Sequence, residues 1–132
     1  MVLICTGFEI FEHIPKSEEE IGKILKIGTN IIFSTDLLPE PTPRICEWWY
    51  YMPVEGQHIS FYTKKSLECL SKRLGLNYTG YENLHIFSTK QVDESLMRRC
   101  CTDTYKINSE NPRKSLLPSD FEKVTGIPLK KI

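Results

Sequence analysis

The sequence predicts an α/β fold, a parallel βαβ unit followed by a further helix and a C-terminal antiparallel hairpin. Three observations carry this expectation. The run Val2-Leu3-Ile4-Cys5-Thr6 is short, apolar and ended by Gly7, the pattern of a strand buried on both faces of a parallel sheet. A helical pattern comes next, and a second β-rich run, Asn30-Ile31-Ile32-Phe33-Ser34-Thr35, then closes strand–helix–strand within residues 1–35. Such a crossover should be right-handed.

The first helix announces itself at Ser17-Glu18-Glu19-Glu20, which follows Pro15 and reads as a capping box, with Ser17 as cap and Glu20 reaching back. Its three acids sit where the helix dipole favours negative charge. Ile21, Ile24 and Leu25 recur at helical spacing, and Gly28 supplies the stop. Residues 36–62 differ in kind: Pro39, Pro41, Pro43 and Pro53 punctuate them, and Trp48-Trp49-Tyr50-Tyr51 forms an aromatic block. Loops of this length are usually functional or disordered, and so much aromatic surface predicts a packed cover. Lys64 to Leu74 reads as a helix with Leu67, Leu70 and Leu74 on one face and Gly75 at its end. Lys64 and Lys65 oppose its dipole, marking either an anion site or a solvated edge. Leu76-Asn77-Tyr78-Thr79 and Leu84-His85-Ile86-Phe87-Ser88, joined through Gly80-Tyr81-Glu82-Asn83, predict the hairpin. Beyond Lys90 the pattern weakens to a short helix near Asp93–Cys100 and a polar loop through Asn111-Pro112. Ser119-Asp120-Phe121-Glu122 is then a second capping box, opening a helix that Gly126 ends. The expected organisation is a domain over residues 1–90 and a helical extension over 91–132.

Composition narrows the class. The chain has 132 residues, the size of one domain, and its 40% hydrophobic and 26% charged content argues against disorder. Seventeen basic residues balance seventeen acidic ones, so no net field recommends nucleic acid or an anionic membrane as partner. No apolar run approaches the ~20 residues of a membrane span and no charged segment leads a secretory one, so a cytoplasmic location is expected. Cys5, Cys46, Cys69, Cys100 and Cys101 are odd in number and contain no C-x-x-C, against both a disulfide framework and a zinc knuckle.

The sharpest constellation is Phe8-Glu9-Ile10-Phe11-Glu12-His13-Ile14-Pro15, at the carboxyl end of the first strand, where open α/β sheets bind ligands. Glu9, Glu12 and His13 bring two carboxylates and an imidazole together. That set suits a divalent ion, or proton transfer, or equally the polar residues of a surface turn. His58 leaves the aromatic segment just before a helix; it either completes a site with Glu9, Glu12 and His13 or pins the loop by a hydrogen bond. His85, between Leu84 and Ile86, reads as a satisfied core or sheet-face histidine. Trp48, Trp49, Tyr50 and Tyr51 either stack on an aromatic or sugar-like substrate or glue the loop to the sheet. Lys130-Lys131 reads as a solvated tail.

The ordered run of strand, Phe8-Glu9-Ile10-Phe11-Glu12-His13, helix, Ile31-Ile32-Phe33-Ser34-Thr35, aromatic loop, Gln57-His58-Ile59-Ser60-Phe61-Tyr62, helix and hairpin has a family likeness. Over roughly residues 1–90 it resembles the C-terminal half of class I S-adenosylmethionine-dependent methyltransferases, nearest the bacterial small-molecule and saccharide-associated methyltransferase-like proteins. The resemblance implies a partial Rossmann-like methyltransferase sheet. The first strand here would be the fourth of seven, Asn30–Thr35 the fifth, and the hairpin the last two, one running antiparallel. It implies methyl transfer from S-adenosylmethionine to a small molecule or saccharide. Carried over by motif, it makes Glu12, His13 and His58 catalytic candidates and Glu9, Glu12, His13 and His58 candidates for a divalent metal such as magnesium. Trp48, Trp49 and Tyr50 become the candidates for substrate contact.

One departure bears on all of this. The family cradles its cofactor in a glycine-rich loop, and none of the seven glycines here forms even a Gly-x-Gly. The expectation is therefore a truncated or split methyltransferase, inactive alone. Its first strand should present an apolar edge that pairs with a second copy or a complementing chain, or that residues 91–132 cover. A different class is a non-catalytic binding or interaction module on the same scaffold. A third is a metal-dependent enzyme on Glu9, Glu12, His13 and His58 that never used the cofactor.

Overall fold

The computed structural model describes residues 3–110 and 117–128. Strand β1 (Ile4–Phe8) runs parallel to β2 (Asn30–Ser34), and α1 (Ser17–Ile24) makes the crossover, so the βαβ unit stands as expected. Their register sets Ile4 against Asn30 and Phe8 against Ser34. Helix α2 (Lys64–Arg73) leads into β3 (Asn77–Tyr81), which turns back through Glu82-Asn83 into β4 (Leu84–Ser88). β4 inserts between β2 and β3, antiparallel to both, giving the order β1-β2-β4-β3. The result is a mixed four-stranded α/β sheet.

Strand alternation puts Ile31 and Phe33 of β2 on the same face as Phe87 of β4. Onto that face pack Ile21 from α1, Leu67 from α2, and Phe11 and Tyr62 from the connections, forming one core. The Phe11 and Phe33 rings stack with centroids 3.8 Å apart. α1 and α2 are also tied across their surfaces by an Arg73–Glu18 ion pair at 2.9 Å; both partners are exposed, so it contributes little. Full burial of Leu67 alone stabilises by roughly 1.5–3 kcal/mol.

The long connection of residues 36–62 is a packed cover, as its aromatic content predicts. Its two ends are drawn together by a bridge between Leu37 and Tyr62 and by the Leu38 amide donating to the Tyr62 carbonyl at 2.7 Å. A short 3₁₀ turn at Trp49–Tyr51 buries Tyr50, and Trp48, Tyr51 and Phe61 pack edge to face around it. Past this cluster Met52 adopts a left-handed conformation (φ 43°), and residues 53–56 stand in solvent.

Several local expectations change. β1 contains Gly7 instead of stopping there, and it is not buried on both faces: Ile4 and Phe8 are 53% and 57% exposed. It is an edge strand, with no partner on its outer side among the described residues. Ser17 does not cap α1; the cap position is Lys16, and the Ser17 hydroxyl is drawn to the Tyr62 hydroxyl, which donates to the Phe11 carbonyl at 3.0 Å. Glu20 is engaged instead with Lys23. Gly28 lies beyond the helix end and is needed for close packing, because a Cβ there would meet the Cys5 sulfur at 2.7 Å. A reciprocal capping box stands at α2 instead, where Thr63 and Ser66 cap each other's amides. Gly75 then closes that helix at φ 70°.

The hairpin turn is the two residues Glu82-Asn83, with Glu82 left-handed (φ 52°), so Gly80 and Tyr81 belong to β3. Helix α3 (Glu94–Glu110) is far longer than predicted and absorbs the first part of the expected polar loop. Asn111-Pro112 and Lys130-Lys131 lie outside the described residues. Helix α4 already runs at Leu117 and continues to Thr125, so Ser119 sits inside it and not ahead of it; Gly126 ends it as expected. The chain divides after Cys101, within α3, into two compact units, the first holding the sheet and the second holding the rest of α3 and α4. No helix among the described residues is long and apolar enough to cross a membrane.

Candidate functional site

The carboxyl ends of β1 and β2 lie side by side, and the chain turns sharply as it leaves β1. Glu9 takes a left-handed conformation (φ 50°), costly for a residue with a Cβ, and Ser34 at the end of β2 holds it there. The Ser34 hydroxyl accepts from the Glu9 amide at 3.0 Å and donates to Glu9 Oε1 at 2.6 Å. The Tyr50 hydroxyl donates to Glu9 Oε2 at 3.5 Å and lies 3.2 Å from Thr35 Oγ1. Burial pushes the Tyr50 hydroxyl up to about 12, so it stays protonated and can serve as that donor.

After this turn the 3₁₀ segment Phe11–His13 drives Phe11 into the core and carries Glu12 inward with it. The Glu12 side chain is 0% exposed, and neither carboxylate oxygen has a hydrogen-bond partner. His13 follows at the rim, its Nε2 3.8 Å from Glu12 Oε1. The loop brings the third member. The Ile59 and Ser60 amides donate to the Glu12 backbone carbonyl at 2.9 and 3.0 Å, and the Ser60 hydroxyl donates to the Ile14 carbonyl at 2.6 Å. This main-chain clasp sets His58 edge-on to His13, with ring centroids 5.0 Å apart.

Both imidazoles have fixed tautomers. His13 Nδ1 lies 2.8 Å from the Gln57 carbonyl and His58 Nδ1 lies 2.7 Å from the Tyr50 carbonyl. A carbonyl only accepts, so each hydrogen sits on Nδ1 and each neutral ring keeps its Nε2 lone pair free. One ligand atom from each of Glu12, His13 and His58 lies within 4.8 Å of the others. Asp36 stands beside this group; its carboxyl is pushed up by burial and then by the neighbouring Glu9 charge.

The sequence candidates thus fall into two sets. Glu12, His13 and His58 are brought together, whereas Glu9 stands apart, bonded to Ser34 and Tyr50. Of the aromatic candidates, Tyr50 is buried and committed to Thr35 and Glu9. Trp48 packs in the loop cluster, and Trp49 is 70% exposed. His85 is fully buried with both nitrogens engaged, Nε2 to the Thr35 carbonyl and Nδ1 to the Tyr78 hydroxyl, each at 3.0 Å. It is the satisfied core histidine its strand context predicts. Ser34, Thr35 and Asp36 were missed; their signal was position, at the carboxyl end of a strand beside Glu9.

A family model described as a methyltransferase domain matches residues 4–80, more than half of the chain, running from β1 into β3. No curated protein and no solved structure matches the chain.

Proposed function

The chain belongs to the methyltransferase domain family, and from that premise we propose that it forms the acceptor-facing part of a methyl-transfer unit acting on a small molecule or saccharide. The observation that carries this is the convergence of Glu12, His13 and His58 near the carboxyl ends of two parallel strands. The strand order, with an antiparallel β4 between β2 and β3, supports assigning the sheet to the last four strands of a partial Rossmann-like methyltransferase fold.

S-adenosylmethionine does not fit the residues present. No Gly-x-Gly occurs in the sequence, so the backbone cradle for its methionine moiety is missing from these residues. In this proposal the nucleoside-holding portion comes from polypeptide other than these 132 residues, and this portion alone is inactive. The chain's own contribution is to place the acceptor and take its proton, because alignment accounts for most of such a catalysis. These residues act on the acceptor alone: a hydroxyl seated here would give up its proton to a free Nε2, of His58 or of His13. The Glu12 carboxylate beside them balances the imidazolium charge.

The bare oxygens of Glu12 favour a second use of the same residues. Glu12, His13 and His58 would hold a divalent ion, which supplies polarisation of an acceptor hydroxyl when bound.

Two measurements test the proposal. Calorimetric titration of the 132-residue chain with S-adenosylmethionine should show no binding at micromolar concentrations, and micromolar binding would overturn the split arrangement. Amide spectra titrated with monosaccharides and small hydroxylated compounds should shift mainly at residues 9–13 and 57–60. Shifts elsewhere, or none, would refute the acceptor-facing role and leave a scaffold module.

A further inference from the structure

We propose that the outer edge of β1 pairs with β1 of a second copy of this chain, antiparallel and with Thr6 facing the partner's Thr6 across a two-fold axis. The inference uses this strand alone and holds whether or not the chain takes part in methyl transfer.

The backbone fixes which groups are on offer. The Leu3 carbonyl accepts from the Asn30 amide at 3.3 Å, so the main-chain groups of Leu3 face β2. Successive residues of a strand turn their N–H and C=O groups to opposite sides, so Cys5 and Gly7 also serve β2. Ile4, Thr6 and Phe8 turn theirs outward, where no described residue pairs with β1. The left-handed turn at Glu9, whose amide returns to Ser34, closes the strand at Phe8. The outward residues are spaced evenly about Thr6, so the strand is its own complement when a copy is set antiparallel. Ile4 then faces the partner's Phe8, and each facing pair exchanges both of its main-chain hydrogen bonds.

The side chains agree with this register. Residues facing each other across an antiparallel pair share a sheet face, and Ile4, Thr6 and Phe8 share the face on which all are exposed. Pairing sets Ile4 beside the partner's Phe8 on either side of the axis, an aromatic–β-branched contact that covers both. Charge selects the occupant. No charged side chain lies among residues 3–8, so a second copy meets no like charge, and an acidic or basic strand would find no counter-charge. Edges that stay single are ordinarily guarded by a lysine, a proline or a bulge, and β1 has none of these. One strand pair of this length buries less than the ~1,200 Å² of a stable interface, so the dimer is weak and depends on concentration. Its continuous sheet carries the two groupings of Glu12, His13 and His58 at opposite ends, and each copy keeps a complete one.

The experiment is sedimentation velocity of the 132-residue chain in reductant, because Cys46, Cys69, Cys100 and Cys101 are exposed. Between about 10 µM and about 1 mM, wild type should pass from monomer towards dimer, as the small contact area requires. Thr6→Lys and Thr6→Glu, each confirmed as folded by circular dichroism, should stay monomeric alone, because the axis sets like charges face to face. Mixed in equal amounts, they should dimerise again. Val124→Lys, which alters a different exposed apolar residue, should leave the dimer as it is. Amide exchange of wild type reads the same pairing without any substitution. The Ile4, Thr6 and Phe8 amides should slow by about threefold or more at the high concentration, while the Cys5 and Gly7 amides should not change. A wild type still monomeric at about 1 mM would overturn the proposal. So would an equal mixture of the Thr6 variants that stays monomeric, loss of the dimer in Val124→Lys but not in Thr6→Lys, or exchange at Thr6 that ignores concentration.

Discussion

Replacing Glu12 by methionine should make the metal-free protein more stable. The substitution keeps side-chain length and flexibility while removing two oxygens that are fully buried and have no partner. The backbone carbonyl of residue 12, which anchors Ile59 and Ser60, is untouched, so the loop clasp survives. An unsatisfied buried polar group costs about 1–3 kcal/mol, and more if charged. Against that stands the nearby His13 Nε2 at 3.8 Å, too long for a hydrogen bond and partly exposed, so the loss there is small. In a unit of about 100 residues, 1 kcal/mol shifts Tm by about 4–8 °C, so a rise of about 5 °C or more is expected. The assay is thermal unfolding followed by circular dichroism at pH 8 with EDTA present. A Tm equal to or below that of wild type would refute the reasoning, because it would mean that the carboxylate is already satisfied within the fold. A rise would identify Glu12 as a residue kept at a cost to stability, as groups retained for binding or catalysis are.

The His85 imidazole gives a pH dependence of definite sign. Burial lowers its pKa below the ordinary 6.5, so below that pH the unfolded chain binds a proton that the folded chain refuses. Stability should therefore fall as pH drops from 7 towards the folded-state value, and His85→Gln should flatten the slope of urea-melt stability between about pH 7 and 5. Coincident slopes would count against it. Ser17→Ala and Tyr62→Phe should couple by about 0.5–1.5 kcal/mol in a double-mutant cycle, because their hydroxyls share one contact. If Ser17 acted as a helix cap, the two changes would simply add.

What could be read from the sequence was whatever depends on near neighbours. Asn30–Ser34 and Leu84–Ser88 are apolar runs flanked by turn residues, and both strands lie where those runs place them. That Ile4 and Phe8 of β1 stand exposed was not legible, because apolarity records what a strand prefers to bury and not what packs over its faces. Ser17 misled for a related reason: the capping pattern is local, but its hydroxyl is taken by Tyr62, forty-five residues further on. Residues 102–110 lack an apolar stripe, so their sequence does not announce a helix, although nothing in them breaks one.

At the site, the motif held the three residues that the fold brings together, Glu12, His13 and His58, since a carboxylate and two imidazoles are chemistry visible in one dimension. It could not separate Glu9 from Glu12. Their spacing of three is the same on paper whether or not a left-handed turn intervenes, and the turn at Glu9 is what sends one carboxylate to Ser34 and the other into the interior. Nor does spacing reveal that two amides of a distant loop grip the Glu12 carbonyl, and it is this grip that delivers His58.

The way that loop is fastened has a consequence for how related chains can diverge. Its ends are joined at Leu37 and Tyr62, its middle is anchored through Tyr50, and its return leg is held at Glu12, so the span from Met52 to Gly56 bears none of these attachments beyond its own turn. Extra residues inserted at Val54, which is 92% exposed, would extend the rim beside His58 while leaving every fastening in place. Lengthening costs only about 0.6 kcal/mol per doubling of a flexible loop. The loop can thus change at its tip by insertion while the grouping of Glu12, His13 and His58 beneath it is unchanged.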